Sequence, residues 1–228
     1  MSEPDAPTDE LTDELIAAIR GGEGERVSAL LDAHPELAAA ADERGLSALM
    51  TAMYHRRPDL AEQIAARRDA FSLHEAVVLG RLETATAALD GGEVGIEDRS
   101  PDGFTSLHLA AFFGREELVA ELLARGAEVD AVAENPMKVR PLHSAATIES
   151  VPICHRLLEA GADANACQEQ GYTPLMSAAL HGNSELAELL LAHGADPALR
   201  AEDGRSARDM ASEGGYGDLA ARLVEQSG

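Results

Sequence analysis

The chain has no tryptophan, three tyrosines and four phenylalanines in 228 residues. Its core must be built from small and aliphatic side chains, because 45% of the residues are apolar all the same. Ala and Leu supply most of that fraction and β-branched residues are few, a balance that favours closely packed helices over sheet. Cysteine is nearly missing. Cys154 and Cys167 are too few for a disulfide framework and stand in no metal-ligand pattern, so reduced thiols are expected. No apolar run approaches the roughly 20 residues that cross a bilayer. Residues 1–10 are acidic and lack the basic and apolar stretches of a signal peptide. Together these absences predict a soluble chain in a reducing, cytoplasmic setting.

Positive charge is scarce too. Lys plus Arg total 18 against 41 Asp plus Glu, a formal net charge of −23, and Lys138 is the one lysine. Such a chain repels phosphate backbones and anionic lipid, which excludes direct nucleic-acid binding and a membrane role. The acid excess solvates the surface or, in a sharper reading, selects a basic partner. Arginine-for-lysine usage together with abundant alanine points to a GC-rich, bacterial coding sequence.

What the chain does have is self-similarity. Thr105-Ser-Leu-His-Leu-Ala-Ala-Phe-Phe-Gly114 is followed by Leu122-Leu123 and Gly126-Ala127-Glu128. Arg140-Pro-Leu-His-Ser-Ala-Ala-Thr-Ile-Glu149 is followed by Leu157-Leu158 and Gly161-Ala162-Asp163, and Thr173-Pro-Leu-Met-Ser-Ala-Ala-Leu-His-Gly182 by Leu190-Leu191 and Gly194-Ala195-Asp196. The same frame extends more weakly in both directions, putting the position of Gly114 at residues 22, 56, 80, 114, 149, 182 and 215. The step from 56 to 80 is short by about the length of one hairpin, so a tight turn near Arg67–Ala70 is expected there. The step from 114 to 149 is long, which places an insertion in the loop Ala133–Val139.

These segments resemble ankyrin repeats, with a T-P-L-H-x-A signature and a period near 33 residues. The resemblance implies an all-α solenoid of seven helix-turn-helix units with short hairpin loops. The units fall at residues 11–42, 43–68, 69–99, 100–132, 133–166, 167–199 and 200–228, as one domain behind a disordered acidic tail, residues 1–10. Pro141 and Pro174 suit the first helical position, Thr105 and Thr173 suit the N-cap, and the Gly114-type position suits a left-handed residue. Arg140 leaves one cap in doubt, and Glu149 in place of glycine costs strain. Arg208 and Glu213 in the last unit, and Asp13, Glu14, Glu23, Glu25 and Arg26 in the first, read as charged capping units.

No catalytic motif or phosphate-binding loop is present, so the chain is read as a non-enzyme without cofactor or metal. His74, His108 and His143 recur at one frame position; the resemblance implies a structural role, hydrogen-bonding between repeats. It also implies a concave docking face for a protein partner, formed by hairpin tips and by the two residues before the Gly114-type position. The candidate partner-binding residues are Tyr54, His55, Val78, Leu79, Phe112, Phe113, Thr147, Ile148, Leu180 and His181, with Phe104 and Tyr172 beside the hairpins. Exposed apolar side chains inside a polar rim mark an interaction site, and aromatics anchor such sites. Asp102, Glu134 and Glu169 are placed to steer a basic partner. The expected function is non-catalytic protein binding by a monomer. The alternatives are an acidic neutralising partner of a basic toxin or nuclease, and an accessory subunit of an enzyme.

Overall fold

A computed structural model describes residues 9–225. Its regular structure is seven successive helix pairs and two short 3-10 turns, with no strand among the described residues. The expected tail lies outside the described residues through residue 8, while Asp9 and Glu10 form the acidic first turn of the first helix. The chain groups into two compact units, one running up to Ala88 with Ser100–Asp102, the other holding Leu89–Arg99 and the chain from Gly103 onward.

The first unit contains α1 (Asp9–Gly21), α2 (Gly24–Ala33), α3 (Ala48–Tyr54), α4 (Pro58–Ala65), α5 (Leu73–Leu79) and most of α6 (Leu82–Asp90). Leu15, Ile19, Leu31, Leu37, Leu49, Leu60, Ile64 and Leu73 are fully buried between these helices. Each contributes roughly 2 kcal/mol by leaving water. A hairpin closed by pairing of Ala41 with Ser47 precedes α3. Before α5 the chain instead makes the expected tight turn.

That turn shifts α5. Phe71 occupies the frame position of Thr105 but has no side-chain acceptor, so Ser72 takes the cap and accepts from the Glu75 N–H at 3.2 Å. Glu75 returns the bond to the Ser72 N–H at 3.0 Å, completing a reciprocal capping box. Its carboxylate is buried against Arg68, with Nη2 to Oε2 at 3.0 Å. Burial opposes its ionisation, but the bonds from Arg68 and Ser72 hold its carboxyl below the usual range. The Arg68 and Arg81 guanidinium groups both lie over the Phe71 ring, 5.3 and 4.4 Å from its centroid.

The second unit contains α7 (Ser106–Phe112), α8 (Glu116–Ala124), α9 (Pro141–Thr147), α10 (Val151–Glu159), α11 (Pro174–His181), α12 (Ser184–Ala192), α13 (Ala207–Glu213) and α14 (Gly217–Glu225). The first helices of its pairs stack in order, α7 on α9, α9 on α11 and α11 on α13. Ala110, Ala111, Ala145, Ala146, Ala178, Ala179 and Ala211 are fully buried along that stack, and their single methyl groups allow the close approach. The paired helices supply the larger apolar stripe, with Leu118, Leu122, Leu157, Leu186 and Leu190 buried. Arg208 in α13 is exposed.

One backbone feature recurs through both units. Residues 22, 56, 80, 114, 149, 182 and 215 all have left-handed φ, from 56° at Arg56 to 83° at Gly215. Each lets the chain reverse between paired helices, and the sequence frame identified all seven positions. At Arg56 and Glu149 (φ 58°) a side chain endures a conformation that favours glycine.

Candidate functional site

In the second unit the C-terminal ends of the stacked first helices leave large apolar side chains in solvent. Phe112 is 37% exposed, Ile148 37%, Leu180 47% and Tyr216 39%. Phe113 is half-buried and meets Phe112 edge to face, centroids 5.2 Å apart. These ends adjoin one another. A Cβ built on Gly114 would sit 3.7 Å from Ile148 Cδ1, and one on Gly182 would strike the Tyr216 ring at 2.3 Å. Glycine at 182 therefore provides both the left-handed turn and the seat for the tyrosine ring. Thr147 and His181 are exposed beside the row and fixed by local bonds. Thr147 Oγ1 donates to the His143 carbonyl at 2.8 Å, and His181 Nδ1 lies 3.0 Å from the Ser177 carbonyl.

In the first unit the candidate residues are less exposed. Val78 is a correction: with 0% exposure it packs inside the core and presents nothing to a partner. The helix starts one residue later than α7 does in the frame, while Leu73, Ala76 and Val77 stay buried like Leu107, Ala110 and Ala111. Leu79 is half-buried and His55 exposed. Tyr54 is half-buried, with its hydroxyl hydrogen-bonded to Asp102; burial first, and then that carboxylate, raise its pKa.

The hairpin residues do not join the exposed row. Phe104 is half-buried, with its ring 5.7 Å from that of His108. The Tyr172 hydroxyl donates to Asp203 Oδ2 at 3.2 Å and accepts from Arg205 at 2.6 Å, which ties it to the next hairpin. The carboxylates expected to steer a partner are largely neutralised: Glu134 pairs with Arg99 at 3.1 Å and Glu169 with Lys138 at 3.0 Å. Tyr216 was absent from the expected row because it follows the left-handed glycine instead of preceding it.

His108 and His143 serve the stack. His108 Nδ1 accepts from the Thr105 N–H at 3.3 Å, and Nε2 donates to the Val139 carbonyl at 3.0 Å. His143 Nδ1 accepts from the Arg140 N–H at 3.2 Å, and Nε2 donates to the Ala166 carbonyl at 3.0 Å. The cap left in doubt by Arg140 is thus supplied by the histidine ring. Both nitrogens of each ring are engaged, and burial lowers both pKa values to about 4. His74 is half-buried, and in α5 the reciprocal bond belongs to Glu75. Cys154 is buried, which pushes its thiol up to about 12, whereas Cys167 is exposed; both are free. No described helix is long and apolar enough to cross a membrane.

Comparison with known proteins gives the same repeat frame. The family described as "Ankyrin repeats (3 copies)" matches residues 142–228, and the single "Ankyrin repeat" matches residues 102–134, together more than half of the chain. The chain is similar to the tyrosine-protein kinase Shark of Drosophila melanogaster, 32% identical over 144 residues, which is 63% of this chain and 15% of that protein. It is 44% identical to the ARF GTPase-activating protein GIT1 of Homo sapiens over 87 residues, 38% of this chain and 11% of that protein. The B-cell lymphoma 3 protein homolog of Mus musculus is 32% identical over 161 residues, 71% of this chain and 31% of the relative. In each case the match spans under a third of the relative's own length. Signature, left-handed frame and histidine network agree with these matches: the chain belongs to the ankyrin-repeat family.

Proposed function

We propose that the chain is a non-catalytic protein-binding module and that the row Phe112, Phe113, Ile148, Leu180 and Tyr216 is its docking site. Ankyrin repeats are protein–protein interaction modules. The carrying observation is the placement of these apolar side chains in solvent at successive repeats of one unit whose other large apolar side chains are mostly buried. Covering them would contribute roughly 2 kcal/mol per side chain, enough for several such rungs to dominate an interface. Thr147 and His181 would form its polar rim.

Affinity capture from lysate tests the site, with wild type run beside Phe112→Arg and Leu180→Arg. Both positions are exposed, so the variants should keep full helicity by circular dichroism. The same protein captured by wild type and lost from both variants is the expected result. Equal capture by all three would move the site off this row. Loss of wild-type capture at high salt would favour the acidic neutralising partner over an apolar accessory contact.

A further inference from the structure

We infer that the row in the second unit takes a basic, amphipathic α-helix of its partner; this rests on the row being the docking site. The first turns of the paired helices, next in sequence to the row, carry Glu116 and Glu117 on α8, Glu185 on α12 and Asp218 on α14, and Glu149 sits in the reversal between α9 and α10. Glu116, Glu117, Glu149 and Asp218 are exposed, as is Glu185, which borders one shallow depression with Glu149. None of the five forms an ion pair among the described residues; Glu149 accepts only from Asn183, at 3.1 Å. Arg115 precedes α8 and Arg156 lies in the last turn of α10 beside the same depression, so two arginines stand against five carboxylates along this border. The hairpin side is more nearly balanced: Glu134, Glu169 and Asp203 are paired with Arg99, Lys138 and Arg205, while the exposed Glu202 forms no ion pair among the described residues. The apolar row thus has its larger run of unpaired carboxylates along the first turns of the paired helices, and a complementary ligand is apolar on one side and basic on the next.

Spacing decides the ligand's backbone. The stacked first helices lie about 8–10 Å apart, and each of four successive repeats contributes one exposed large apolar side chain, Phe112, Ile148, Leu180 and Tyr216. An α-helix rises about 10.5 Å in seven residues and returns to nearly the same face. A strand covers about 10 Å in three residues, an odd number that turns alternate anchors away from the row. A helix of about 20 residues, with one large apolar residue per heptad and Lys or Arg on the flank beside it, meets all the rungs at once. Arginine or lysine on that flank would face Glu116, Glu117, Glu149, Glu185 and Asp218.

A fluorescent synthetic peptide of about 22 residues, with Leu at every seventh position, Ala and Gln elsewhere and Lys on one flank, tests this on the full chain by anisotropy. Three control peptides accompany it: Gln for every Lys, Glu for every Lys, and the basic sequence with two central prolines. The expected result is binding of the basic helix at least tenfold tighter than any control. Affinity should fall at least tenfold for Phe112→Ala/Leu180→Ala, and also for Glu116→Gln/Glu117→Gln/Glu185→Gln. Both variants change exposed residues, and retained helicity would confirm their folding. Equal binding of the Gln peptide, still lost in the Phe112/Leu180 variant, would refute the basic ligand while leaving the row as the docking site. Equal binding of the proline peptide would refute the helix. Binding unaffected by Phe112→Ala/Leu180→Ala would overturn the row itself, and no binding by any peptide would overturn the inference.

Discussion

Acidification should destabilise the second unit through two histidines, His108 and His143. His108 and His143 have pKa values of about 4 when folded, against an ordinary value of 6.5. Protonating Nδ1 would set a new N–H against the Thr105 or Arg140 N–H that it now accepts from. The folded value is the depressed one, so the unfolded chain binds more protons between these pH values. Stability is therefore complete above about pH 6.5 and is lost as pH falls towards 4. From pH 7 to about 4.5, each histidine should cost between about 2 and 3 kcal/mol, and the pair about 5 kcal/mol. Hydrogen bonds to Arg68 and Ser72 outweigh burial at Glu75, and Arg205 holds Asp203, so both carboxyls titrate below this window.

Urea melts followed by far-ultraviolet circular dichroism at several pH values between 7 and 4.5 read the effect directly. His108→Gln/His143→Gln keeps an amide donor near each carbonyl but removes the titration. It should be less stable than wild type at pH 7 and nearly flat over the window. A flat wild-type profile, or an unchanged slope in the double variant, would refute the assignment.

Two further predictions concern the backbone frame and the displaced helix. Glu149→Gly and Arg56→Gly should each raise the urea midpoint, by about 1 kcal/mol of stability, because glycine relieves the left-handed strain and gives back part of the gain as chain entropy; an unchanged or lower midpoint would remove strain from the account. Glu75→Gln leaves Arg68 without its buried partner and should cost about 3 kcal/mol at pH 7; a variant as stable as wild type would show that the pair contributes nothing net.

The repeat frame was legible because its positions are set by backbone geometry. A chain reversing between two helices needs a left-handed residue, and glycine fills five of the seven places. The other two, Arg56 and Glu149, were found only through spacing from their neighbours. Proline at the start of α9 and α11 and alanine along the stack follow from equally local constraints. The displacement of α5 was legible as well, although the repeat alignment concealed it. Ser72 followed three residues later by Glu75 is a capping-box signal. Once Ser72 is taken as the cap, Glu75 replaces His74 as the residue that returns the bond to the cap backbone.

The docking row was harder to read because the same frame position has different fates in different repeats. Two residues before the reversal, Phe112 and Leu180 are exposed while Val78 is buried. What separates them is what the surrounding chain packs against that position, because the neighbouring core positions of all three helices are buried alike. Tyr216 shows the opposite case, an exposed aromatic outside the frame position. Its signal was its setting in Gly214-Gly215-Tyr216-Gly217, where glycine on both sides leaves a large ring no local side chains to pack against. The ring finds its seat on Gly182 of the preceding repeat. Charge followed the same division. Net charge was read from composition, but composition could not tell that Glu134 and Glu169 are neutralised while Glu116, Glu117 and Glu185 are not. Ion pairing across repeats depends on which side chains the stack brings within reach, and that is the information on which the choice of a partner rests.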